Sequence, residues 1–265
     1  MSEKTIQYSV FTKPWKMPVP ELAEHIRRLG FDGIEFPVRP GYPVEPEHIG
    51  RDLPGAAQTL AGAGVRVFSV AGNTDVPTIE ACAAAGVPMI RTMARVQGSD
   101  YVDTIARLQR EYEALVPALE ATGVTIGVQN HFGRYVPDGL GLVDLLRPFD
   151  RKHYCIVWDA AHEAIQGGEM DHALDIVWQR LGMVNLKNAF WMRTNGPEAE
   201  VAKWKHYWTT GRQGLCSWPV VVGELKRRGY GGVVCLTAEY DDHDSVDRLI
   251  AEDLAFARSL FQGEA

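Results

Sequence analysis

The sequence predicts a single (β/α)8 TIM barrel, and two patterns in its 265 residues support that prediction. Eight short runs rich in β-branched residues alternate with longer stretches whose apolar residues recur at helical spacing. Six of those stretches end in a glycine just before the next run, at Gly30, Gly64, Gly86, Gly123, Gly182 and Gly229. Because glycine tolerates the left-handed conformation that ends many helices, this repeat of roughly 30 residues indicates parallel strands joined by crossover helices.

The elements follow in order along the chain. The predicted strands are Ile6–Phe11, Gly33–Pro37, Val65–Ala71, Val87–Met93, Val124–Asn130, Tyr154–Asp159, Met183–Lys187 and Val233–Glu239. The clearest predicted helices are Glu21–Leu29, Tyr101–Ala121, Ala173–Leu181, Val220–Arg228 and Val246–Phe261. The longest interruption, Asn188–Ser217, is rich in Trp, Lys and Arg, and is expected to be a loop over the active site. No low-complexity linker divides the chain, so residues 1–265 are predicted to form one domain.

A doubly wound sheet is the competing architecture for such a repeat. That fold normally carries a glycine-rich phosphate loop after its first strand, where this chain has Thr12-Lys13-Pro14-Trp15. The barrel is therefore preferred.

Composition and charge argue against several classes of protein. The chain has 27 Lys and Arg against 34 Asp and Glu, a formal net charge of −7, whereas nucleic-acid binders carry a basic surface. No apolar run approaches the roughly 20 residues of a membrane span, and the N-terminus lacks the apolar core of a signal peptide. The four cysteines lie far apart without a CxxC pair. We expect buried free thiols and a cytoplasmic protein that binds neither nucleic acid nor membranes.

In this fold, active sites lie at the carboxyl ends of the strands. Side-chain alternation turns a polar set toward the barrel interior or its rim, namely Glu35, Gln129, His131, Asp159, Asn185, Lys187 and Glu239, with His162 three residues after Asp159. Burying this polarity costs several kcal/mol unless a metal, a ligand or tight pairing compensates. Each residue also has an ordinary structural interpretation: Asp159 as a helix N-cap, Glu239 as a loop acid and His162 as a surface residue of a first helical turn.

Several segments, in this order and spacing, resemble the xylose-isomerase-like barrel superfamily of sugar phosphate isomerases and epimerases related to endonuclease IV. They are Gly30–Glu35, Gly123–His131, Trp158–His162, Gly211–Trp218 and Leu225–Gly232, followed by Glu239. The resemblance implies one divalent metal, first Mn²⁺ or Mg²⁺ and then Co²⁺ or Zn²⁺, at the positions of Gln129, Asp159, Asn185 and Glu239. Members typically have Glu and His where this chain has Gln129 and Asn185. We therefore expect weakened metal binding.

The same replacements change the expected catalysis. Epimerases of the superfamily use two Glu residues on opposite faces of the substrate, one to remove a proton next to a carbonyl and one to return it. Glu239 retains one of these bases, whereas Gln129 cannot transfer a proton, so His131 would have to substitute. Lys187 is expected to pair with an anionic substrate group, or with Glu239 in the electrostatic place of the metal.

Four residues are expected to contact substrate: His162 through hydroxyl groups, Glu35 at the rim, Arg193 through an anion, and Trp15 through the C–H face of a sugar. The leading hypothesis is an isomerase or epimerase of a sugar or sugar derivative that uses metal-assisted proton transfer next to a carbonyl. The alternatives are a metal-assisted lyase or dehydratase of an oxidised sugar or polyol, including glycoside cleavage with a partner subunit, and a non-catalytic sugar-binding barrel with a degraded metal site. The expected partner is a small carbohydrate. The sequence leaves open whether the protein forms a homo-oligomer.

A DNA endonuclease is the least favoured hypothesis. The net charge has the wrong sign for it, and the second and third strands offer Glu35 and Ser69 instead of the histidines that a multi-zinc site needs.

Overall fold

Eight parallel strands close into a barrel in the computed structural model, which describes residues 5–98 and 100–263. The strands in chain order are β1 Gln7–Phe11, β2 Gly33–Pro37, β3 Arg66–Ala71, β4 Met89–Met93, β5 Thr125–Gln129, β6 Tyr154–Asp159, β7 Leu181–Leu186, β8 Asn188–Arg193, β9 Trp204–Thr209 and β10 Val233–Leu236. The barrel contains β1 to β7 and β10, and it closes where β10 pairs with β1 on one side and β7 on the other. The predicted (β/α)8 fold is confirmed.

Helices follow the strands around the barrel. They are α1 Val19–Leu29, α2 Ile49–Gly62, α3 Val76–Ala84, α4 Tyr101–Glu113, α5 Val116–Thr122, α6 Gly139–Leu146, α7 Ala160–Ile165, α8 Met170–Val177, α9 Trp218–Arg227 and α10 Val246–Gln262. The single helix predicted over Tyr101–Ala121 is wrong. Pro117 lacks a backbone N–H and favours the first turn of a helix, so the segment divides into α4 and α5. The helix predicted over Ala173–Leu181 also ends early, because Leu181 already begins β7.

An apolar layer fills the barrel below the rim. Phe11, Ala71, Val157, Met183 and Cys235 form this layer. Gly127 leaves space for it, since a Cβ atom there would lie 2.6 Å from Val157 Cγ2, closer than packed atoms approach. The four cysteines are buried and free, as expected. This apolar floor confines polar chemistry to the carboxyl end of the barrel.

The segment predicted as a loop over Asn188–Ser217 contains an antiparallel hairpin of β8 and β9. Asn188 anchors its base, because Nδ2 donates to the carbonyl oxygens of Gly211 (2.9 Å) and Cys216 (2.8 Å). At the other strand, the backbone N–H of Trp208 donates to Asp241 Oδ2 at 2.8 Å. These bonds hold Trp208 beside the barrel rim. Within the described part of the chain, no helix is long and apolar enough to cross a membrane.

Candidate active site

A small polar cavity lies at the carboxyl end of the barrel, with a volume of about 120 Å³. We call it the inner cavity, and it is lined by Phe11, Lys13, Arg39, Arg91, Met93, Gln129, His131, His162, Asn185, Thr237 and Glu239. Five of these were predicted as site residues: Gln129, His131, His162, Asn185 and Glu239. They come from β5, β7 and the segments that follow β5, β6 and β10, so the barrel closure brings them together.

Glu239 is held between two lysines. Lys187 Nζ donates to Glu239 Oε2 at 2.5 Å, and Lys13 Nζ donates to the other carboxylate oxygen. Burial raises the pKa of Glu239, but the two ammonium groups outweigh it and hold that pKa below its usual range. Lys187 Nζ also lies 3.5 Å from the centroid of the Trp208 ring, a cation–π contact. The carboxylate is therefore ionised and its charge is shared between two cations.

Glu239 does not belong to a strand, although it was predicted to end the eighth one. The last barrel strand ends at Leu236, and Ala238 adopts a positive φ of 50°. That left-handed conformation costs a non-glycine residue roughly 1–2 kcal/mol, and it breaks the alternation of a strand. The chain thus turns before Glu239 and brings its carboxylate to Lys187.

Asp159 is the N-cap of α7. Its Oδ1 accepts hydrogen bonds from the backbone N–H groups of Ala161 and His162, both at 3.1 Å. Its Oδ2 accepts from Gln129 Nε2 at 2.7 Å. The carboxyl group is fully buried, which raises its pKa to about 6 although Lys187 lies near enough to lower it. Asp159 therefore orients Gln129 and α7 from beneath the cavity wall.

Several buried polar atoms at the cavity wall have no hydrogen-bond partner among the described residues. They are Gln129 Oε1, both side-chain polar atoms of Asn185, and His162 Nδ1. Leaving one such atom unpaired costs roughly 1–3 kcal/mol. A ligand with hydroxyl groups can satisfy these atoms, because a hydroxyl both donates and accepts. The wall is therefore suited to a polyhydroxy ligand.

His131 and His162 form a neutral pair of rings, with centroids 3.9 Å apart. Burial lowers the pKa of His131 to about 4, and it lowers the pKa of His162 well below the usual value. His131 Nδ1 lies 2.8 Å from the Phe132 carbonyl oxygen, which can only accept a hydrogen bond. Nδ1 therefore carries the proton, and Nε2 of His131 presents a lone pair.

A larger cleft of about 520 Å³ adjoins the inner cavity and shares Lys13 and Glu239 with it. We call it the outer cleft, and it is further lined by Pro14, Tyr42, Trp208, Ala238, Tyr240, Asp241, His243 and Val246. The rings of Tyr42, Trp208 and Tyr240 offer apolar faces to a second group of a ligand.

Comparison with known proteins identifies the family. The model of the xylose isomerase-like TIM barrel family matches residues 76–260. The chain belongs to this family. No curated protein matches the chain at a significant level.

Solved structures share the fold of this family member across nearly its full length. The 3-keto-D-glucoside 4-epimerase of E. coli superposes with a TM-score of 0.73 at 15% identity, covering 96% of this chain and 100% of that one. The D-psicose 3-epimerase of Clostridium cellulolyticum H10 gives 0.73 at 14% identity, covering 96% and 99%. The probable 3-DHS dehydratase of Bacillus anthracis gives 0.69 at 15% identity, covering 95% and 98%. Similarity at this level shows a common fold.

The four positions expected to hold a metal in this family member do not fit a divalent cation. Glu239 is neutralised by Lys13 and Lys187, and both oxygens of Asp159 accept hydrogen bonds. Divalent cations require several oxygen or imidazole ligands, and an ammonium group at the carboxylate repels them. Within residues 5–98 and 100–263, no group of three His, Cys, Asp or Glu side chains could hold a metal ion. Mn²⁺ or Mg²⁺ binding stays a prediction.

Three of the residues predicted to contact substrate lie outside both cavities. Glu35 is fully buried within the barrel, where Arg91 Nη2 donates to it at 2.5 Å and Ser69 Oγ at 3.0 Å. Arg193 is exposed on the hairpin, where its Nη2 donates to the Gly196 carbonyl oxygen at 2.8 Å. Trp15 packs against His25 with ring centroids 5.0 Å apart, and its Nε1 donates to Asp247 at 2.8 Å.

Three cations that line the inner cavity were absent from the predicted site. Arg91 lies on β4, where a charged residue within a buried strand is itself a signal. Lys13 and Arg39 follow the ends of β1 and β2, the positions at which barrel active sites form.

Proposed function

We propose that this protein is an isomerase or epimerase of a small oxo-sugar or sugar derivative, and that lysine ammonium groups take the electrostatic place of a metal. The observation that carries the proposal is that Glu239 and Lys13 line the same inner cavity as the neutral His131, while the buried Lys187 binds Glu239 from behind the cavity wall. The strands that lead to His131 and Glu239, β5 and β10, are separated by β6 and β7 in the barrel. A bound substrate would therefore have a potential proton acceptor on each of two walls.

The two lysines supply the charge that the reaction needs. Removing a proton next to a carbonyl places negative charge on the carbonyl oxygen, as an enediolate. Lys187 Nζ is buried and already fixed by Glu239 and Trp208, so it would stabilise that oxygen with little reorganisation. Lys13 lies at the same carboxylate and provides a second donor.

His131 and Glu239 would move the proton. Nε2 of the neutral His131 accepts the proton from carbon, and the imidazolium returns it to the neighbouring carbon in an isomerisation. In an epimerisation one of the two lysine ammonium groups transfers a proton to Glu239, which delivers it to the same carbon on the opposite face; the imidazolium of His131 then releases its proton to solvent and the lysine regains one. Its low pKa makes Glu239 a weak base while both lysines donate to it. A substrate oxygen that captures the Lys187 hydrogen bond would raise the proton affinity of Glu239 and couple binding to proton transfer.

The buried amides would orient the substrate. Asn185 and Gln129 present unpaired donor and acceptor atoms, which suit the hydroxyl groups of a sugar. Their neutrality also distinguishes this site from one that binds a cation, since amides can pair with hydroxyls without adding charge.

Hydrogen exchange with solvent tests the proposal. Chelator-treated protein would be incubated in D₂O with ketohexoses, ketohexose 6-phosphates and ketohexuronates, and deuterium at the carbon next to the carbonyl would be followed by NMR. We expect incorporation with at least one substrate, and loss of about 10²–10³ in rate in Lys187→Met. Lys152→Met, at an exposed lysine outside both cavities, is the matched control and should retain the rate. Binding of these sugars without exchange would overturn the enzymatic proposal in favour of a sugar-binding barrel.

The outer cleft favours a lyase as the second candidate. Its aromatic residues Tyr42, Trp208 and Tyr240 adjoin the catalytic carboxylate and leave room for a leaving group. In that reaction the base takes the proton next to the carbonyl, the electron pair forms a C=C bond, and the C–O bond one carbon further on breaks as its oxygen leaves with the pair. An oxidised glycoside with a chromophoric aglycone distinguishes the two: a lyase releases the aglycone, whereas an isomerase leaves it attached.

A further inference from the structure

Arg39 has an uncommitted positive charge at the inner cavity. It follows β2, is partly buried, and lines the cavity together with Lys13 and Arg91. Its guanidinium carbon lies 5.6 Å from the centroid of the Phe11 ring. No hydrogen bond or ion pair joins its side chain to another of the residues that the structure describes. A guanidinium group in a cavity wall without a carboxylate partner is positioned to bind an anion from solution.

Arg91, Lys13 and Lys187 each have a carboxylate partner, whereas Arg39 has none in the described part of the chain. Arg91 is matched by Glu35, with Nη2 2.5 Å from Oε1. Lys13 and Lys187 share the single carboxylate of Glu239, so this group carries one further positive charge in excess. The cavity wall is thus cationic in a chain whose formal net charge is −7.

We infer that the ligand of the inner cavity carries an anionic group, a carboxylate or a phosphate, that Arg39 binds as a charge-assisted hydrogen-bonding partner. The inference depends on the proposed function for placing a sugar in this cavity. It adds the orientation of the ligand in the cavity. The anionic end lies at Arg39 and Lys13, and the hydroxyl groups lie at Asn185 and Gln129. The substrate class becomes acidic sugars in place of neutral ones.

Three probes that share the glucose ring and differ in charge at carbon 6 test the inference. They are D-glucose, D-glucuronate and D-glucose 6-phosphate. Their affinities for the full chain would be measured by NMR titration or calorimetry at low salt. We expect one anionic probe to bind at least about 10-fold more tightly than glucose, a preference that falls as salt rises. Glucuronate in first place would assign a carboxylate, and glucose 6-phosphate a phosphate.

The Arg39→Gln variant tests whether Arg39 causes the preference for the anionic probe. It should lose the preference for the anion and keep the affinity for glucose, while Arg39→Lys keeps part of the preference. Arg110→Gln, at an exposed arginine on α4, is the matched control and should behave as wild type. Thermal unfolding of each variant would establish that the fold is intact.

Equal or undetectable binding of all three probes would overturn the inference, as would a preference that survives in Arg39→Gln. This result is separable from the proposed function. Exchange of neutral sugars with no effect of Arg39→Gln would overturn the anion site alone. An Arg39-dependent anion preference without any exchange would overturn the enzymatic proposal alone.

Discussion

Lys187 Nζ lies 2.5 Å from Glu239 Oε2, and the two residues follow the adjacent strands β7 and β10. Glu239 occupies the position at which the resemblance to sugar isomerases implied a metal-binding carboxylate. An ammonium group thus stands where a cation was expected, and the amides Gln129 and Asn185 occupy two of the remaining ligand positions. A fixed positive charge on the protein accounts for these substitutions together.

Replacing Glu239 with Gln should impair both stability and exchange. The substitution leaves Lys187 buried without its counter-charge, and an unpaired buried charge is costly. We expect unfolding free energy to fall by about 1–3 kcal/mol, measured by urea denaturation. Glu252→Gln, which removes an exposed partner of Arg248, should change stability by under about 1 kcal/mol. A Glu239→Gln protein with wild-type stability and wild-type exchange would contradict the assigned role.

A metal site should be recoverable by reversing the two replacements at Gln129 and Asn185 and by removing Lys187. In Gln129→Glu/Asn185→His/Lys187→Met the donors gain a carboxylate and an imidazole, and the competing ammonium group is removed. We expect this variant to bind Mn²⁺ in a calorimetric titration at about one ion per chain. The double variant that retains Lys187 should bind more weakly. Equal Mn²⁺ affinity in the two variants would show that Lys187 does not compete with the ion.

The stability of the protein should depend on the titration of Asp159. Burial raises the pKa of Asp159 from 3.8 to about 6, so between these values the folded state holds more protons than the unfolded state. Its contribution to stability is therefore fully present below pH 4 and is lost as pH rises toward 7. The unfolding free energy of wild type minus that of Asp159→Asn should fall by about 2 kcal/mol over this interval. A constant difference, or one that rises with pH, would contradict the assignment.

Removing one partner of the buried pair of Arg91 and Glu35 should destabilise the protein more than removing both. Glu35 is fully buried and Arg91 nearly so, and Ser69 donates to the same carboxylate. Removing one partner, as in Arg91→Met, should cost about 3–5 kcal/mol because the other charge is left buried and unpaired. The double variant Arg91→Met/Glu35→Leu should recover much of this loss. Chemical denaturation of the three variants completes the cycle, and strictly additive losses would contradict direct pairing.

The fold and part of the site could be predicted from sequence because local signals determine them. Glycine-ended helices and β-branched runs specify the repeat, and strand alternation brings Gln129 and Asn185 to the inner cavity. Other features depend on contacts between distant segments. The turn at Ala238 brings Glu239 to Lys187, but it contains no glycine that would have predicted it from the sequence. The hairpin is fixed by Asn188, whose partners lie more than twenty residues further along the chain.

The same limit of local sequence signals applies to the residues predicted to contact substrate. Glu35 faces the interior, but its partner Arg91 comes from another strand, so their ion pair could not be inferred from spacing. Trp15 is turned toward Asp247, which lies 232 residues further along the chain. Arg193 ends β8 of the hairpin, where it remains exposed and donates to the nearby Gly196 carbonyl oxygen.

Metal content tests the central claim most directly. The purified protein would be analysed by elemental mass spectrometry as isolated, after chelation, and after incubation with Mn²⁺, Mg²⁺, Co²⁺ and Zn²⁺ followed by removal of unbound ions. If Lys187 takes the place of the cation, all preparations should contain far less than one ion per chain, and the chelated protein should exchange substrate hydrogen at the undiminished rate. Near-stoichiometric metal that is needed for exchange would contradict the account.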